Sequence, residues 1–96
     1  MEFNIRVSPR AQNEIDNAIE YYQNQSNQAP QKFLESLTAS YSQLKTNPWF
    51  AKRYKNVRSL KLNRFPYSLF YIIMENNNTV EILACFHNKR HPRFNP

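Results

Sequence analysis

A group of basic and imidazole side chains in the second half of this sequence has the chemistry to act on phosphate. Its members are Arg58, Lys61, Arg64, His87, Lys89, Arg90 and His91. Arg and Lys side chains position phosphates, and an imidazole titrates near neutral pH, so it can act as a general acid or base. Cleavage of RNA by its own 2′-hydroxyl needs a base, an acid and cations for the phosphorane charge. Lys61, Arg90 and His87 are candidates for these roles.

The cations are concentrated in one half of the chain. Residues 1–50 carry four Lys/Arg and five Asp/Glu, whereas residues 51–96 carry nine Lys/Arg and two Asp/Glu. This asymmetry favours a polyanionic or acidic partner. The alternative is a solvated basic surface that serves only solubility.

Composition excludes several kinds of chemistry. The chain has no glycine, and both the Rossmann fingerprint and the P-loop need glycine for close backbone approach to phosphate. One cysteine and two histidines do not make a zinc site with a recognisable spacing. We therefore expect neither a cofactor nor a metal, and we interpret Cys85 as a small packing residue.

Length and apolar patterning set the broad class of protein. The 96 residues suit a single domain spanning 1–96. No apolar run approaches the ~18 residues that span a membrane, and the first residues lack the apolar stretch of a signal peptide. With only one cysteine, the sequence favours a cytoplasmic protein that does not associate with a membrane.

The first half predicts one strand and two helices. Apolar and polar residues alternate over 3–7, which is typical of a strand with one buried face. Ser8-Pro9 predicts a helix start with serine as the N-cap, and the helical periodicity continues to about Gln23. A second helix is predicted from near Pro30 to Asn47-Pro48, where proline disfavours further helix. The short polar connection implies an antiparallel helical hairpin.

The second half predicts an antiparallel meander. Alternation over 59–62, an aromatic and β-branched run over 67–74, and a last strand over 79–86 are separated by short connections. In the turn over 75–78, asparagine can supply the positive φ that glycine would usually give. The element order is β-α-α-β-β-β. The fold class is therefore α+β, with the hairpin packed on one face of the sheet.

Period-2 parity assigns side chains to the two faces of this sheet. In the last strand we expect Val80, Ile82, Ala84 and Phe86 to share one face. The side chains expected to point away from the helices are Arg6, Ser59, Lys61, Cys85 and His87.

Structural roles are the alternative for two of the basic-group residues. His87 at a strand end suits a hydrogen-bonded structural histidine. Arg58 suits an ion pair with a carboxylate of the helical hairpin.

The ordered set of segments resembles the RelE/ParE toxin superfamily over nearly the whole chain. The segments are VRSLKL at 57–62, RFPYSLFY at 64–71, VEIL at 80–83 and HNKRHP at 87–92, preceded by SPRA at 8–11 and by a second helix that bears Phe33. The resemblance implies the toxin half of a type II toxin–antitoxin pair. It also implies inhibition by a cognate antitoxin, in a possible toxin–antitoxin hetero-oligomer.

The superfamily contains two mechanisms. RelE-like members cut mRNA in the ribosomal A site, and ParE-like members poison DNA gyrase. This chain resembles a RelE-like site at Lys61 and Arg90. It departs from that site at Ser68, where an arginine is expected, and at Phe94, where a tyrosine is expected. The Phe-Pro-Tyr start of the third strand and the His-x-x-Arg-x-Pro ending resemble ParE.

Three hypotheses follow. The favoured one is a ParE-like gyrase inhibitor, and its target-binding residues are Arg58, Lys61, Arg64, Lys89 and Arg90. The second is a ribosome-dependent endoribonuclease with catalytic residues Lys61, Arg64, His87 and Arg90. The third is a non-toxic member that binds only its antitoxin or a nucleic acid.

Overall fold

The described part of the chain forms two α-helices, five β-strands and a short 3-10 helix (Glu75–Asn77) in an α+β arrangement. The strand β1 (Asn4–Val7) is followed by the helices α1 (Pro9–Gln23) and α2 (Ala29–Thr46), and then by β2 (Lys52–Tyr54), β3 (Val57–Lys61), β4 (Tyr67–Met74) and β5 (Thr79–His87). The computed structural model describes residues 2–89. The predicted fold class, helical hairpin and meander are confirmed. No helix in that range is long and apolar enough to cross a membrane.

The strands form one five-stranded sheet in the order β1-β5-β4-β3-β2. The strands β3, β4 and β5 pair antiparallel, as predicted, and β1 adds to the outer edge of β5 as a parallel partner. The edge strand β2 is not foreseen by the sequence. Its three residues are all exposed, so no apolar alternation marks it, and pairing with β3 defines it instead.

The hydroxyl of Ser8 joins the start of α1 to the sheet. Its Oγ accepts a hydrogen bond from the Ala11 backbone N–H at 3.1 Å, which confirms the predicted N-cap. The same Oγ donates to the Leu83 carbonyl at 3.1 Å, and the Ser8 N–H donates to the Ile82 carbonyl at 3.0 Å. One side chain therefore fixes both the helix terminus and the middle of β5.

Replacement of Ser8 by alanine should lower the free energy of unfolding by about 1–2 kcal/mol, because a helix cap and a partner for a strand carbonyl are both lost. Urea unfolding followed by circular dichroism measures this. Ser42→Ala is the matched control, since Ser42 is an exposed serine of α2 and should change the value by less than about 0.5 kcal/mol. Equal effects of the two substitutions would contradict the role of Ser8.

The core between the helices and the sheet is rich in aromatic residues. Phe33 of α2 is fully buried. Its ring centroid lies 5.6 Å from that of Tyr22, 5.3 Å from that of Phe65 and 5.5 Å from that of Tyr67. The pairs with Phe65 and Tyr67 are edge-to-face, an arrangement that adds to the stabilisation from burial. The cluster fixes the hairpin against the β3–β4 connection and β4.

A β-bulge in β5 reverses the predicted parity of the strand beyond it. Phe70 is paired with Ala84, but the adjacent Tyr71 is paired with Ile82, so Leu83 is an extra residue. Val80 and Ile82 face the helices, whereas Ala84 and Phe86 belong to a second apolar cluster with Phe70 on the other face. The expectation that these four residues share a face is therefore wrong, because the extra residue shifts the alternation by one.

Because of the same bulge, two of the residues expected to point away from the helices point toward them instead. Cys85 lies in the core on the helix side, and His87 lines a cleft against α1. Arg6, Ser59 and Lys61 do face away from the helices, as predicted. They lie beside Glu81, Phe70 and Ser68 respectively, on the face that carries the second cluster.

Candidate functional site

Lys61 lies at the end of β3 on the face away from the helices, with its side chain exposed. It is paired with Ser68 of β4, which in turn is paired with Phe86 of β5. Residues paired across neighbouring strands present their side chains on the same face. Lys61, Ser68 and Phe86 therefore form one row across the end of the sheet.

The hydroxyl of Ser68 is bound within this row. It donates a hydrogen bond to the Asn88 side-chain oxygen at 2.6 Å. The Asn88 N–H donates to the Pro66 carbonyl at 2.8 Å, which holds the turn after β5 against the β3–β4 connection. RelE-like proteins are expected to carry an arginine at this position beside Lys61. In this chain a neutral pair, Ser68 and Asn88, occupies the position instead.

Arg64 lies in the β3–β4 connection close to Lys61. It is exposed and has a φ of 74°, in the left-handed region where glycine or asparagine is usual. The Ser36 hydroxyl of α2 donates to the Asn63 carbonyl at 2.7 Å and fixes this turn. Lys61 and Arg64 line the same groove of about 600 Å³ beside α2. The structure therefore brings these two predicted cations together.

His87 lies at the same end of the sheet as Lys61 but on the helix-facing side. Its ring packs edge-on to Tyr67 at 5.2 Å between centroids, and its Nδ1 accepts a hydrogen bond from the Lys89 backbone N–H at 3.2 Å. It lines a cleft of about 390 Å³ together with Glu14 and Tyr21 of α1. The strand register thus places His87 and Lys61, two of the three candidates for the base, acid and cation roles, on opposite faces of the sheet.

Arg58 of β3 is half-buried on the helix-facing side, opposite Tyr71. Its Nη1 donates to the Phe50 carbonyl, and its guanidinium carbon lies 5.1 Å from the centroid of the Trp49 ring. The partner is therefore a backbone carbonyl and not the hairpin carboxylate that was the structural alternative. These contacts leave Arg58 less available to a target than the exposed Lys61.

The remaining predicted cations lie after β5. Lys89 is exposed in the turn that Asn88 anchors. Arg90, His91 and Phe94 lie outside the described residues.

Cys85 is buried on the helix side, in surroundings that disfavour its thiolate form. Burial raises the pKa of its thiol to about 12, and the negative charge of Glu14 adds to this effect. Glu14 Oε1 also accepts the Cys85 backbone N–H at 2.8 Å. The interpretation of Cys85 as a packing residue agrees with this environment, since a reactive cysteine needs a lowered pKa.

A second basic surface, which sequence reasoning did not single out, surrounds β2. Five exposed residues form it, and we call it the β2 hairpin patch: Trp49, Lys52, Arg53, Tyr54 and Lys55. The charge pattern of the sequence is the signal that could have indicated this surface. Residues 36–74 contain seven Lys/Arg and no Asp/Glu, and two aromatic residues are interleaved with three of those cations.

Comparison of the chain with known protein families identifies the class of protein to which it belongs. A family model described as the ParE toxin of the type II toxin–antitoxin system, parDE, matches residues 5–92. This chain therefore belongs to the ParE toxin family, within the RelE/ParE superfamily. No curated protein sequence is similar enough to count as a match.

Solved structures share the fold. One belongs to a chromosomal ParDE toxin–antitoxin system from P. aeruginosa, with a TM-score of 0.69 and 18% identity over 88% of this chain and 95% of that one. Another belongs to the RelBE2 toxin–antitoxin complex from Mycobacterium tuberculosis, with a TM-score of 0.64 and 18% identity over 91% of this chain and 92% of that one. At this identity the likeness concerns the fold, which both branches of the superfamily share.

Proposed function

We propose that this toxin inhibits DNA gyrase and is neutralised by a cognate antitoxin. The single observation that carries the choice of target is the state of Ser68. Its hydroxyl is held by Asn88, in the row where a RelE-like ribonuclease would present an arginine beside Lys61. Removal of one group that stabilises transition-state charge costs about 3–4 kcal/mol in a protease oxyanion hole, where the loss has been measured. A protein that only binds its target tolerates the absence of this arginine better than an enzyme, because it has no transition state to stabilise.

The geometry of the proposed catalytic residues supports the same choice. Proton transfer needs acid and base within hydrogen-bond reach of one substrate. Lys61 faces away from the helices, whereas His87 lines the cleft against α1. The two side chains therefore leave opposite faces of the sheet, an arrangement that does not favour contact of both with one phosphodiester. In contrast, Lys61 and Arg64 are both exposed and lie three residues apart at the end of β3, so they can contact a common acidic surface.

Induced expression of the chain should produce double-strand breaks in chromosomal DNA, and the purified toxin should inhibit supercoiling by purified gyrase. Lys61→Ala combined with Arg64→Ala should weaken this inhibition about tenfold or more, since two exposed interfacial charges are lost. Lys45→Ala, at an exposed position near the end of α2, is the control and should retain inhibition. Intact DNA with prompt mRNA cleavage would refute the proposal.

The ribonuclease function is the second candidate, because Lys61 is exposed beside Arg64. It predicts new RNA 5′ ends within ribosome-bound mRNA soon after induction. It also predicts loss of these ends in both Lys61→Ala and Arg90→Ala. Unchanged toxicity of both variants would exclude it.

The antitoxin is proposed from family membership and from the charge of the described surface. An acidic segment that folds onto the toxin would complement the Lys61–Arg64 groove. Co-expression of the partner should relieve growth inhibition. A chain that never inhibits growth in any host would instead be a member that only binds its antitoxin or a nucleic acid.

A further inference from the structure

The β2 hairpin patch is distinct from the groove that holds Lys61 and Arg64. β2 is the edge strand next to β3, and Tyr54 is paired with Val57 at the start of β3, whereas Lys61 is at its other end. Four residues of extended chain separate the two ends by about 13 Å. A ligand on the patch therefore need not touch the groove.

Both aromatic rings of the patch are exposed, one on each side of the edge strand. Trp49 packs on Arg58 of the helix-facing side, whereas Tyr54 is paired with Val57 of the other face. Trp49 is 49% exposed and Tyr54 is 37% exposed. The Arg58 guanidinium lies 5.1 Å from the centre of the Trp49 ring, and the Lys55 ammonium lies 5.4 Å from the centre of the Tyr54 ring. Such cation–π contacts orient a ring before a ligand arrives and reduce the entropy lost on binding.

The cations of the patch have no acidic neighbours in sequence. No Asp or Glu occurs between residues 36 and 74, and the one ion pair found among residues 2–89 joins Arg10 to Glu14 in α1. Lys55 also has a φ of 52° at the tip of the hairpin, where asparagine or glycine is the usual residue. A positive charge is thus held at a turn position that lysine does not favour.

Protection of a sheet edge explains only part of this surface. Lysines on a short edge strand discourage pairing with other chains. Exposed tryptophan and tyrosine side chains add apolar surface, which favours association with other molecules. Addition of an acidic peptide as a further strand is also disfavoured, because β2 has three residues and an irregular register between Lys52 and Tyr54. Aromatic rings interleaved with cations instead match the surfaces that bind unpaired nucleic-acid strands.

We propose that the β2 hairpin patch binds single-stranded nucleic acid. The strand passes around the exposed edge formed by β2, where Trp49 and Tyr54 stack on unpaired bases on either side and Lys52, Arg53 and Lys55 contact the phosphates. Stacking and phosphate contacts do not read the 2′-hydroxyl, so DNA and RNA strands bind alike. The proposal requires neither gyrase nor the ribosome, and it holds or fails independently of the function proposed above.

The sole tryptophan makes the binding directly measurable, because Trp49 lies within the patch. Titration of the full chain with an oligothymidine of about 12 nucleotides should quench tryptophan emission, and anisotropy of a labelled strand gives the affinity. Raising the salt concentration should weaken binding with a logarithmic slope of about −2, as expected for three phosphate contacts on a single strand. An oligouridine of the same length should bind within about twofold, and a duplex should bind more weakly.

Two matched pairs of variants test the patch. Lys52→Glu with Arg53→Glu should weaken binding about tenfold or more, whereas Lys32→Glu with Lys45→Glu makes the same change of net charge on α2 and should have a much smaller effect. Tyr54→Ala should weaken binding about tenfold, and Tyr54→Phe should restore it, because the phenyl ring still stacks. Thermal melting checks that each variant is folded.

The proposal is overturned if the strand does not bind, if Trp49 emission does not change on binding, or if Tyr54→Ala binds as well as the parent chain. It is also overturned if the α2 charge pair weakens binding as much as the β2 pair, or if duplex DNA binds as tightly as the single strand. Either of these last two results would indicate unspecific attraction by net charge.

Discussion

Replacement of Phe33 by alanine should lower the free energy of unfolding by about 3–5 kcal/mol, the range measured for buried phenylalanines. Phe33 is fully buried, and its ring contacts those of Tyr22, Phe65 and Tyr67. The total stability of a small domain is about 5–15 kcal/mol, so the loss is a large fraction of it. The melting temperature should fall by at least about 12 °C.

Leu34→Ala is the control for Phe33→Ala. Leu34 is the next residue of α2 but is 40% exposed, so its truncation should cost less than about 1 kcal/mol. Differential scanning calorimetry or urea unfolding measures both variants. Similar losses for the two residues would mean that α2 does not present Phe33 to the sheet as described.

The thiol of Cys85 should react with a disulfide reagent about a thousandfold more slowly in the folded chain than in the unfolded chain at pH 8. The thiolate is the reactive form. An unperturbed cysteine has a pKa of about 8.5 and is roughly one-quarter ionised at pH 8, whereas burial raises the pKa of Cys85 to about 12 and leaves the thiol protonated. The reaction is followed by absorbance in native buffer and in guanidinium chloride.

A single-cysteine variant provides the matched control. Cys85→Ala combined with Ser42→Cys transfers the thiol to an exposed position on α2 and should react at nearly the unfolded rate in native buffer. Rapid labelling of Cys85 in the folded chain would contradict its place on the helix side of the sheet. The measurement therefore also tests the bulge at Leu83, since regular alternation would turn Cys85 to the other face.

The helices could be predicted from the sequence because their signals are local. Ser8 next to Pro9 supplies a cap and a first-turn proline, and Asn47-Pro48 supplies a stop. The turn before β5 could be predicted in the same way, because asparagine tolerates the left-handed conformation that Asn78 adopts there, with a φ of 52°. Each of these features depends on a few neighbouring residues.

The faces of β5 could not be predicted because the bulge is a tertiary feature. Nothing in the run from Val80 to Phe86 marks Leu83 as the extra residue. Its position is stabilised by the Ser8 hydroxyl, which is 75 residues away in the chain and donates to its carbonyl. One shifted residue moved His87 away from Lys61. The sequence therefore predicted an arrangement of Lys61 and His87 that the structure corrects.

The parallel pairing of β1 with β5 has a consequence for synthesis. β5 lies between β1 and β4, so β1 is synthesised well before β5, the strand with which it pairs. Contacts between residues this distant in the chain slow folding and expose unpaired strands meanwhile. A nascent chain that ends before residue 79 lacks the strand to which β1 and β4 both pair. Translation through β5 therefore precedes completion of the sheet that carries the groove and the β2 hairpin patch.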